Sequence, residues 1–203
     1  MTIDYPMASI RFHKFAIEGM QDIQKQTEKS KAFYFPYVEE KRGVADKLLI
    51  ELAKNAAVVI TDDYPTYFVP QMTAEAKGSI QTTYELVDSN GLLPIRIAEK
   101  EYVRAHDFRR FMHKNIEDFL VEVPEKDPLE YLNLKFDEKL LEPIFKKYEL
   151  VDFNKVNTRD FLNNLNVDKS VEISDVIGGY NAAKLRLDLF AKKGFNDYSK
   201  LRS

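Results

Sequence analysis

Apolar residues recur along the chain at spacings that predict helices separated by short strands. Residues 11–28 place apolar side chains three or four positions apart, which is typical of an amphipathic helix. The predicted apolar stripe of this helix consists of Phe12, Phe15, Ala16, Gly19, Met20 and Ile23.

Three short segments have the character of β-strands. Residues 31–38 (KAFYFPYV) are aromatic and β-prone, and Pro36 limits them to an edge position. Residues 56–61 (AAVVIT) form a continuous apolar run, which predicts a strand buried on both faces, and residues 82–87 (TTYELV) form the third strand. Predicted helices at 44–55 and 69–76 lie between them. This alternation predicts an α/β fold with a parallel sheet.

The second half of the chain is more helical. The longest predicted helix covers residues 98–120, and Pro124 and Pro128 bracket an exposed linker. A short helix is predicted to open at Asn157 and to hold Phe161, Leu162 and Leu165, and residues 180–191 form a clean helix after a Gly-Gly pair. We therefore expect an α/β domain at 1–123, a linker at 124–175 and the start of a helical domain at 176–203.

The order of the elements raises one difficulty for this fold. In an open parallel sheet the first strand usually lies at the centre and carries the first ligand loop. This chain instead starts almost directly with a helix. Either the sheet is built differently, or strands that belong ahead of Asp4 are absent.

Composition narrows the classes of function. The 44% hydrophobic residues are sufficient for a core, and a formal net charge of −3 argues against wholesale coating of nucleic acid while leaving a local basic face open. The absence of cysteine excludes disulfides, thiolate nucleophiles and Cys-based zinc sites, and fits a reducing cytoplasm. Neither a signal peptide nor an apolar run of membrane-spanning length occurs, so we expect a cytoplasmic protein without membrane contact.

Candidate ligand-binding residues follow the second and third predicted strands. Ligands of open α/β sheets bind beyond the carboxyl ends of strands. These positions are Asp62, Asp63, Tyr64, Asp88, Ser89 and Asn90. The alternative role for such residues is turn formation, which is the commoner one for Asp and Asn.

Other candidate chemistry is weaker. His106 and His113 could share a helix face, but they lack further ligands at metal-binding spacing, and His13 adjoins an apolar stripe, so we expect neither a metal site nor a catalytic residue. No nucleophile elbow, phosphate loop or dinucleotide loop occurs. The basic residues Arg104, Arg109, Arg110 and Lys114 could contact phosphate, but pairing with Glu101, Asp107 and Glu117 on a solvated face is the favoured interpretation.

Several segments together resemble the photolyase/cryptochrome family, and specifically its bacterial deoxyribodipyrimidine photolyases. These segments are DYPMASIRFHKFAIEGMQD, KAFYFPYVE, AAVVITDDYPTYFVPQM, YELVDSNGLLPIR, YVRAHDFRRFMHKNI and GGYNAAKLRLDLFAKKGFNDYSKLRS. The resemblance implies a partial, Rossmann-like, doubly wound parallel sheet that lacks its first strands, followed by a helical linker and the first helix of the flavin-binding half. It implies truncation at both ends.

The resemblance also implies roles for individual residues. Tyr198 and Arg202 match a Tyr-x-x-x-Arg pattern, in which the Tyr touches the phosphate region of FAD and the Arg lies near DNA phosphate. Asp62, Asp63 and Asp88 match loops that line the family's antenna-chromophore cleft. The full-length family uses FAD to split pyrimidine dimers in damaged DNA, as a carbon–carbon lyase.

We expect this chain to lack most of the FAD site and to be inactive alone. The chain carries no Trp, whereas electron transfer in the family uses aromatic residues. Two alternatives remain open. The first alternative to an inactive fragment is a non-catalytic α/β module that binds a nucleotide or a chromophore. The second is one half of a split photolyase that needs a complementing C-terminal chain.

Overall fold

The computed structural model describes residues 1–41, 43–45, 47–121, 123–133 and 137–201. In chain order its elements are α1 (Ile10–Thr27), α2 (Leu48–Ala53), β1 (Val58–Asp62), α3 (Val69–Ser79), β2 (Thr83–Val87), α4 (Ala105–Asn115), α5 (Glu142–Phe145), α6 (Thr158–Asn164), α7 (Tyr180–Leu189) and α8 (Tyr198–Leu201). Short 3₁₀ turns cover Ile95–Ile97, Ile116–Phe119, Pro128–Tyr131, Glu138–Leu141 and Phe195–Asp197, and a π-helical turn covers Phe190–Gly194.

The chain forms two compact units. The core unit combines Met1–Asp46 with Leu129–Ser203, and the strand unit is the continuous segment Lys47–Pro128. These units describe packing, whereas the domain limits at 123 and 175 were derived from composition and family resemblance. Those limits stay predictions.

Helix α1 confirms the first predicted helix but only part of its predicted core face. Its buried residues are Ile10, His13 and Ile17, which are three and four positions apart and lie on one side. Phe12 and Phe15 of the predicted stripe are 55% and 53% exposed. The predicted stripe is therefore only partly the buried face: Met20 packs against the core cluster, whereas Phe12 and Phe15 are largely exposed, because contact with the rest of the core unit selects among the apolar positions of α1.

The core of this unit lies between α1 and the segment around α6. Leu162 and Leu165 join Ile10 and Ile17 in one buried cluster. Helix α6 begins where the side chain of Asn157 accepts hydrogen bonds from the backbone N–H groups of the first turn, as an N-cap residue does. The short helix predicted at this position is confirmed. Burial of these branched side chains is the main stabilising term available to the unit.

The aromatic segment 31–38 forms no strand, so the prediction of a strand there is wrong. It makes isolated backbone contacts, such as the hydrogen bond from Val151 N–H to the Pro36 carbonyl at 2.9 Å. The rings of Phe33 and Phe35 pack on Phe145 instead, with centroids 5.6 and 5.9 Å away. Pro36 has no N–H to donate, and aromatic packing replaces the missing ladder.

A tight junction joins α1 to the start of α7. A Cβ atom added at Gly178 would lie 2.2 Å from the Phe15 carbonyl oxygen, so only glycine fits there. The Gly178 N–H donates to the Glu18 carboxylate at 2.7 Å, and the Asn181 N–H donates to Asp22 at 3.0 Å. These carboxylates lie where the helix dipole of α7 favours negative charge. The predicted helix at 180–191 is confirmed to Leu189 and continues as the π-helical turn.

In the strand unit, β1 and β2 pair in parallel, with Val58 opposite Thr83 and Asp62 opposite Val87. Helix α3 forms the crossover between them, as a parallel connection requires. The predicted strands at 56–61 and 82–87 and the helix between them are confirmed. The structure is therefore mixed helix with a small parallel sheet, consistent with the α/β class, and the doubly wound arrangement stays a prediction.

The two-stranded sheet is poorly covered. Ile60 is 60% exposed and Val58 is 39% exposed, so the prediction of a strand buried on both faces is wrong. Among its described residues, the buried apolar side chains of the strand unit are those of Leu48 and Ala53. The helices predicted at 44–55 and 98–120 are shorter than expected, since their regular parts are α2 and α4.

Candidate ligand cleft at the strand ends

The parallel pairing brings the predicted acidic residues to one edge of the sheet. Asp62 ends β1, and the Asp63 N–H donates to the Val87 carbonyl at 2.8 Å, which carries the pairing one residue further. Asp88 follows β2 directly. Asp62, Asp63 and Asp88 are therefore neighbours at the carboxyl ends of the strands, which is where ligands bind in open α/β sheets.

Asp88 organises the loop that follows β2. Its carboxylate accepts a hydrogen bond from the Ile95 N–H at 2.6 Å and others from the backbone and side chain of Asn90 at 3.2 Å. The bond from Ile95, followed by that from the Asn90 side chain, lowers the pKa of Asp88 below its ordinary value. Hydrogen bonding to the charged form thus keeps this loop ordered while Asp88 is ionised.

Asp62 and Asn90 extend the same network. The Ser89 hydroxyl donates to the Asp62 carboxylate at 2.5 Å, and the Asn90 side-chain amide donates to the Asp63 carbonyl at 2.8 Å. Asp62 and Asp88 therefore perform the turn chemistry that was the alternative to a ligand role. A cofactor-binding role for these carboxylates stays a prediction.

Asp63 forms the ion pair of the cleft. Its carboxylate accepts from Nη2 of Arg96 at 2.8 Å and also from Nε of the same guanidinium. The Asp63 side chain is 16% exposed and that of Arg96 is 74% exposed. Hydrogen bonding to Asp63 raises the pKa of Arg96. This paired geometry holds the guanidinium at the cleft while part of it still faces solvent.

The cleft itself has a volume of about 450 Å³. Helix α3 lines it with Pro70, Thr73, Ala74 and Lys77, at the i, i+3, i+4 and i+7 spacing of one helix face. The remaining lining residues are Asp63, Tyr64, Pro65, Leu86, Ile95 and Arg96. Mostly apolar walls with a few charged groups are typical of small-molecule sites of this size.

Sequence reasoning missed the two cationic residues of the cleft. Lys77 lies seven positions, or about two helical turns, after Pro70 on the same face of α3. This spacing in a helix that follows a predicted strand could have indicated that Lys77 lines the cleft. Arg96 comes shortly after the Asp88 turn, but its pairing with Asp63 depends on the tertiary fold. Among the described residues, no ion pair involves Lys77, so its ammonium is available to an anionic ligand.

The other predicted site residues lie elsewhere. Tyr198 begins α8 in the core unit, is 53% exposed and packs edge-on against Phe190 with ring centroids 5.8 Å apart. The predicted DNA contact Arg202 lies outside the described residues. The roles of both residues stay predictions.

The histidines differ in their surroundings. His13 is fully buried, stacks on Tyr5 and lies with Nδ1 3.0 Å from the Ser9 carbonyl oxygen, whereas His106 and His113 are exposed on α4. Within the part of the chain that the structure describes, no group of three His, Cys, Asp or Glu side chains has a metal-binding arrangement. None of the helices described there combines the length and apolarity needed to cross a membrane.

The structure is mixed helix with a small parallel β-α-β unit and a cleft at its strand ends, which is compatible with the α/β class. No protein-family model matches the chain. Over 144 residues, or 70% of the chain, its sequence is 27% identical to the deoxyribodipyrimidine photo-lyase of Methanothermobacter thermautotrophicus. The matched residues span 30% of the length of that protein. This similarity supports a distant relationship to the photolyase family.

Proposed function

We propose that this chain acts in light-dependent DNA repair of the photolyase type, as part of a flavoprotein that splits pyrimidine dimers in damaged DNA. The observation that carries the proposal is the 27% identity over 70% of the chain to a deoxyribodipyrimidine photo-lyase. The bacterial subtype and the cytoplasmic location belong to the same proposal.

The cleft of the strand unit supports a ligand-binding role within that function. Arg96 and Lys77 can face an anionic group, while Pro65, Leu86 and Ile95 can pack on a planar ring. Asp62 and Asp88 would act by ordering the loop that presents Arg96, because both already accept hydrogen bonds from it. We propose an antenna chromophore as the occupant.

The FAD and DNA contacts rest on the resemblance. Tyr198 would touch the phosphate region of FAD, and Arg202 would lie near DNA phosphate. FAD supplies the photochemistry when bound, and protein residues position it. Because the matched residues span 30% of the relative, we propose that this chain alone does not repair DNA.

A second function is favoured by the cleft independently of the relationship. A 450 Å³ site with an available Lys77 suits a non-catalytic module that binds a nucleotide or a chromophore. Such a module would need neither FAD nor DNA. The sequence similarity favours the first function and the cleft is compatible with both.

The first function is tested by deleting the gene that encodes this chain. Ultraviolet survival is then measured with and without a period of visible light after irradiation. We expect the deletion to abolish the survival gained in light and to leave survival in the dark unchanged, because photolyases act only on illumination. Equal recovery in light by the deletion and parent strains would contradict the proposal.

The second function is tested on the purified chain by fluorescence titration with AMP and with FMN. We expect saturable binding of at least one probe, weakened in Lys77→Ala and unchanged in the matched control Lys54→Ala, which removes an exposed lysine of the same unit. A photorepair assay on the same preparation, with FAD added, should show no dimer splitting. Equal affinities of both variants would exclude the cleft as the binding site.

A further inference from the structure

Helix α4 has two chemically different sides. Phe108 and Phe111 pack with Tyr102, with ring centroids 5.5 and 5.2 Å from that of Tyr102. This aromatic cluster is local, since Phe108 is still 39% exposed and none of the described residues of α4 is buried.

Basic residues occupy the side of α4 that faces away from this aromatic cluster. His106, Arg110 and Lys114 follow one another at intervals of four, as do Arg109 and His113 in the adjacent row. All five side chains are exposed. We call these residues the α4 basic face.

On a solvated, charge-neutral surface, the cationic side chains of this face would form ion pairs with nearby acidic side chains. Among the described residues, no ion pair involves Arg109, Arg110 or Lys114, whereas His106 Nδ1 lies 3.5 Å from the Asp107 carboxylate. Helix α7 behaves differently, because Lys184 pairs there with Asp188 at i+4. Glu101, Asp107 and Glu117 are the acids expected to neutralise the basic residues. Among the described residues Asp107 lies near His106, and none of the three pairs with Arg109, Arg110 or Lys114.

The dimensions of the face suit a nucleic-acid backbone. Eight residues separate His106 from Lys114, which at 1.5 Å per residue is about 12 Å along the helix. One strand of duplex DNA presents a phosphate about every 3.4 Å along its axis, so a face of this length can reach more than one phosphate. Arginine is well suited to phosphate because its planar guanidinium donates two parallel hydrogen bonds.

We propose that the α4 basic face binds the phosphate backbone of duplex DNA, without reading its sequence. Arg109, Arg110 and Lys114 make the contacts. This inference deepens the proposed function and rests on it for the identity of the nucleic acid. It adds a binding surface within the strand unit, separate from the predicted contact at Arg202.

The test is dark binding of the purified chain to an undamaged, fluorescently labelled duplex, followed by anisotropy over a series of KCl concentrations. In the triple variant Arg109→Ala, Arg110→Ala, Lys114→Ala we expect affinity at low salt to fall about tenfold or more. The slope of log affinity against log salt should decrease in magnitude by roughly 2 to 3, about one for each lost phosphate contact.

The matched control is Lys25→Ala, Lys29→Ala, Lys31→Ala in the core unit. It removes the same charge from exposed positions and should change affinity less than about twofold if the effect is local. The variant Arg109→Lys, Arg110→Lys keeps the charge, so it should retain the salt slope while losing part of the affinity, because lysine cannot donate the two parallel hydrogen bonds of a guanidinium. Far-UV circular dichroism checks that each variant remains folded.

Three results would overturn the inference. The first is an equal loss of duplex affinity in the two triple variants, and the second is no measurable duplex binding by the unmodified chain at 50 mM KCl. For the third, binding to phosphatidylserine vesicles is measured in parallel, and the triple variant loses vesicle binding but not duplex binding. Because the duplex is undamaged and kept dark, a negative result here is separable from failure of the light-dependent survival test. The DNA surface and the repair function are thus judged by different measurements.

Discussion

The core unit and the strand unit differ in how much apolar surface they bury. The core unit encloses Ile17, Leu162 and Leu165, each at most 3% exposed, within a shared cluster. The described part of the strand unit has Leu48 and Ala53 as its buried apolar side chains, and Ile60 in the middle of β1 is 60% exposed. Yet the strand unit carries the cleft and the α4 basic face. The cleft and the α4 basic face therefore lie in the less densely packed unit, as is common for binding sites.

The largest expected effect comes from comparing the loss of stability when a buried side chain is truncated with the loss when an exposed one is truncated. Ile17→Ala should lower the free energy of unfolding of the core unit by about 2–5 kcal/mol, because it removes packed methylene groups and leaves a cavity. Ile60→Ala should change that of the strand unit by less than about 0.5 kcal/mol. Urea denaturation followed by hydrogen exchange at α1 and β1 measures both. Comparable losses for the two variants would show that β1 is covered in solution.

The glycines provide a second, smaller contrast. Gly178→Ala should destabilise the core unit by about 1–3 kcal/mol, because the new Cβ meets the Phe15 backbone and one of the two must move. Gly78→Ala in α3 meets nothing within 4 Å and should stabilise that helix by about 0.5–1 kcal/mol. Thermal melts of both variants give the sign. A neutral Gly178→Ala would mean that α7 is not held against α1.

Substitutions at helix caps should change the stability of the two units by about 1 kcal/mol each, in opposite directions. Asn157→Ala removes the N-cap of α6 and should cost about 1 kcal/mol of core-unit stability. Arg104 occupies the N-cap position of α4 in extended conformation without a side-chain cap, so Arg104→Ser should stabilise α4 by a similar amount. Hydrogen exchange in the first turn of each helix reports the change. Faster exchange in α4 of Arg104→Ser would contradict this account.

The smallest expected effect is the acid response of the loop after β2. The pKa of Asp88 is lowered, chiefly by the Ile95 N–H, so its contribution is present above the unfolded pKa of about 3.9 and is lost as pH falls through the lower folded value. The Ile95 amide NMR signal should therefore shift below about pH 4 in the unmodified chain. In Asp88→Asn that transition should be absent. An unchanged transition would assign the titration to another group.

Local patterns predicted most elements but not their surroundings. The spacing of α1, the Asn157 cap and the apolar runs of β1 and β2 indicated the correct secondary structure, because each depends on neighbours in sequence. The aromatic segment 31–38 has the same β-prone composition, yet it packs on Phe145 instead of joining a ladder. Residue propensity indicated a strand, whereas the packing of this segment on Phe145 depends on the tertiary structure.

The candidate site shows the same division. Asp62, Asp63 and Asp88 could be placed at one edge because parallel strands end together. Their partners could not be foreseen, since Arg96 is separated from Asp63 by thirty-three positions and Ile95 from Asp88 by seven. The cationic side of the cleft, and the absence of ion pairs at Arg109, Arg110 and Lys114 among the described residues, depend on the tertiary structure.

The sequence alone indicated helices α1, α3, α6 and α7, the two parallel strands, the acidic strand ends and the resemblance to photolyases, since these depend on local spacing and residue type. Tertiary structure decided which face of α1 is buried, that residues 31–38 are not a strand, and that Asp63 pairs with Arg96. The physical reason is that burial and ion pairing depend on distances between residues remote in the chain, whereas helical and strand periodicity depend on near neighbours.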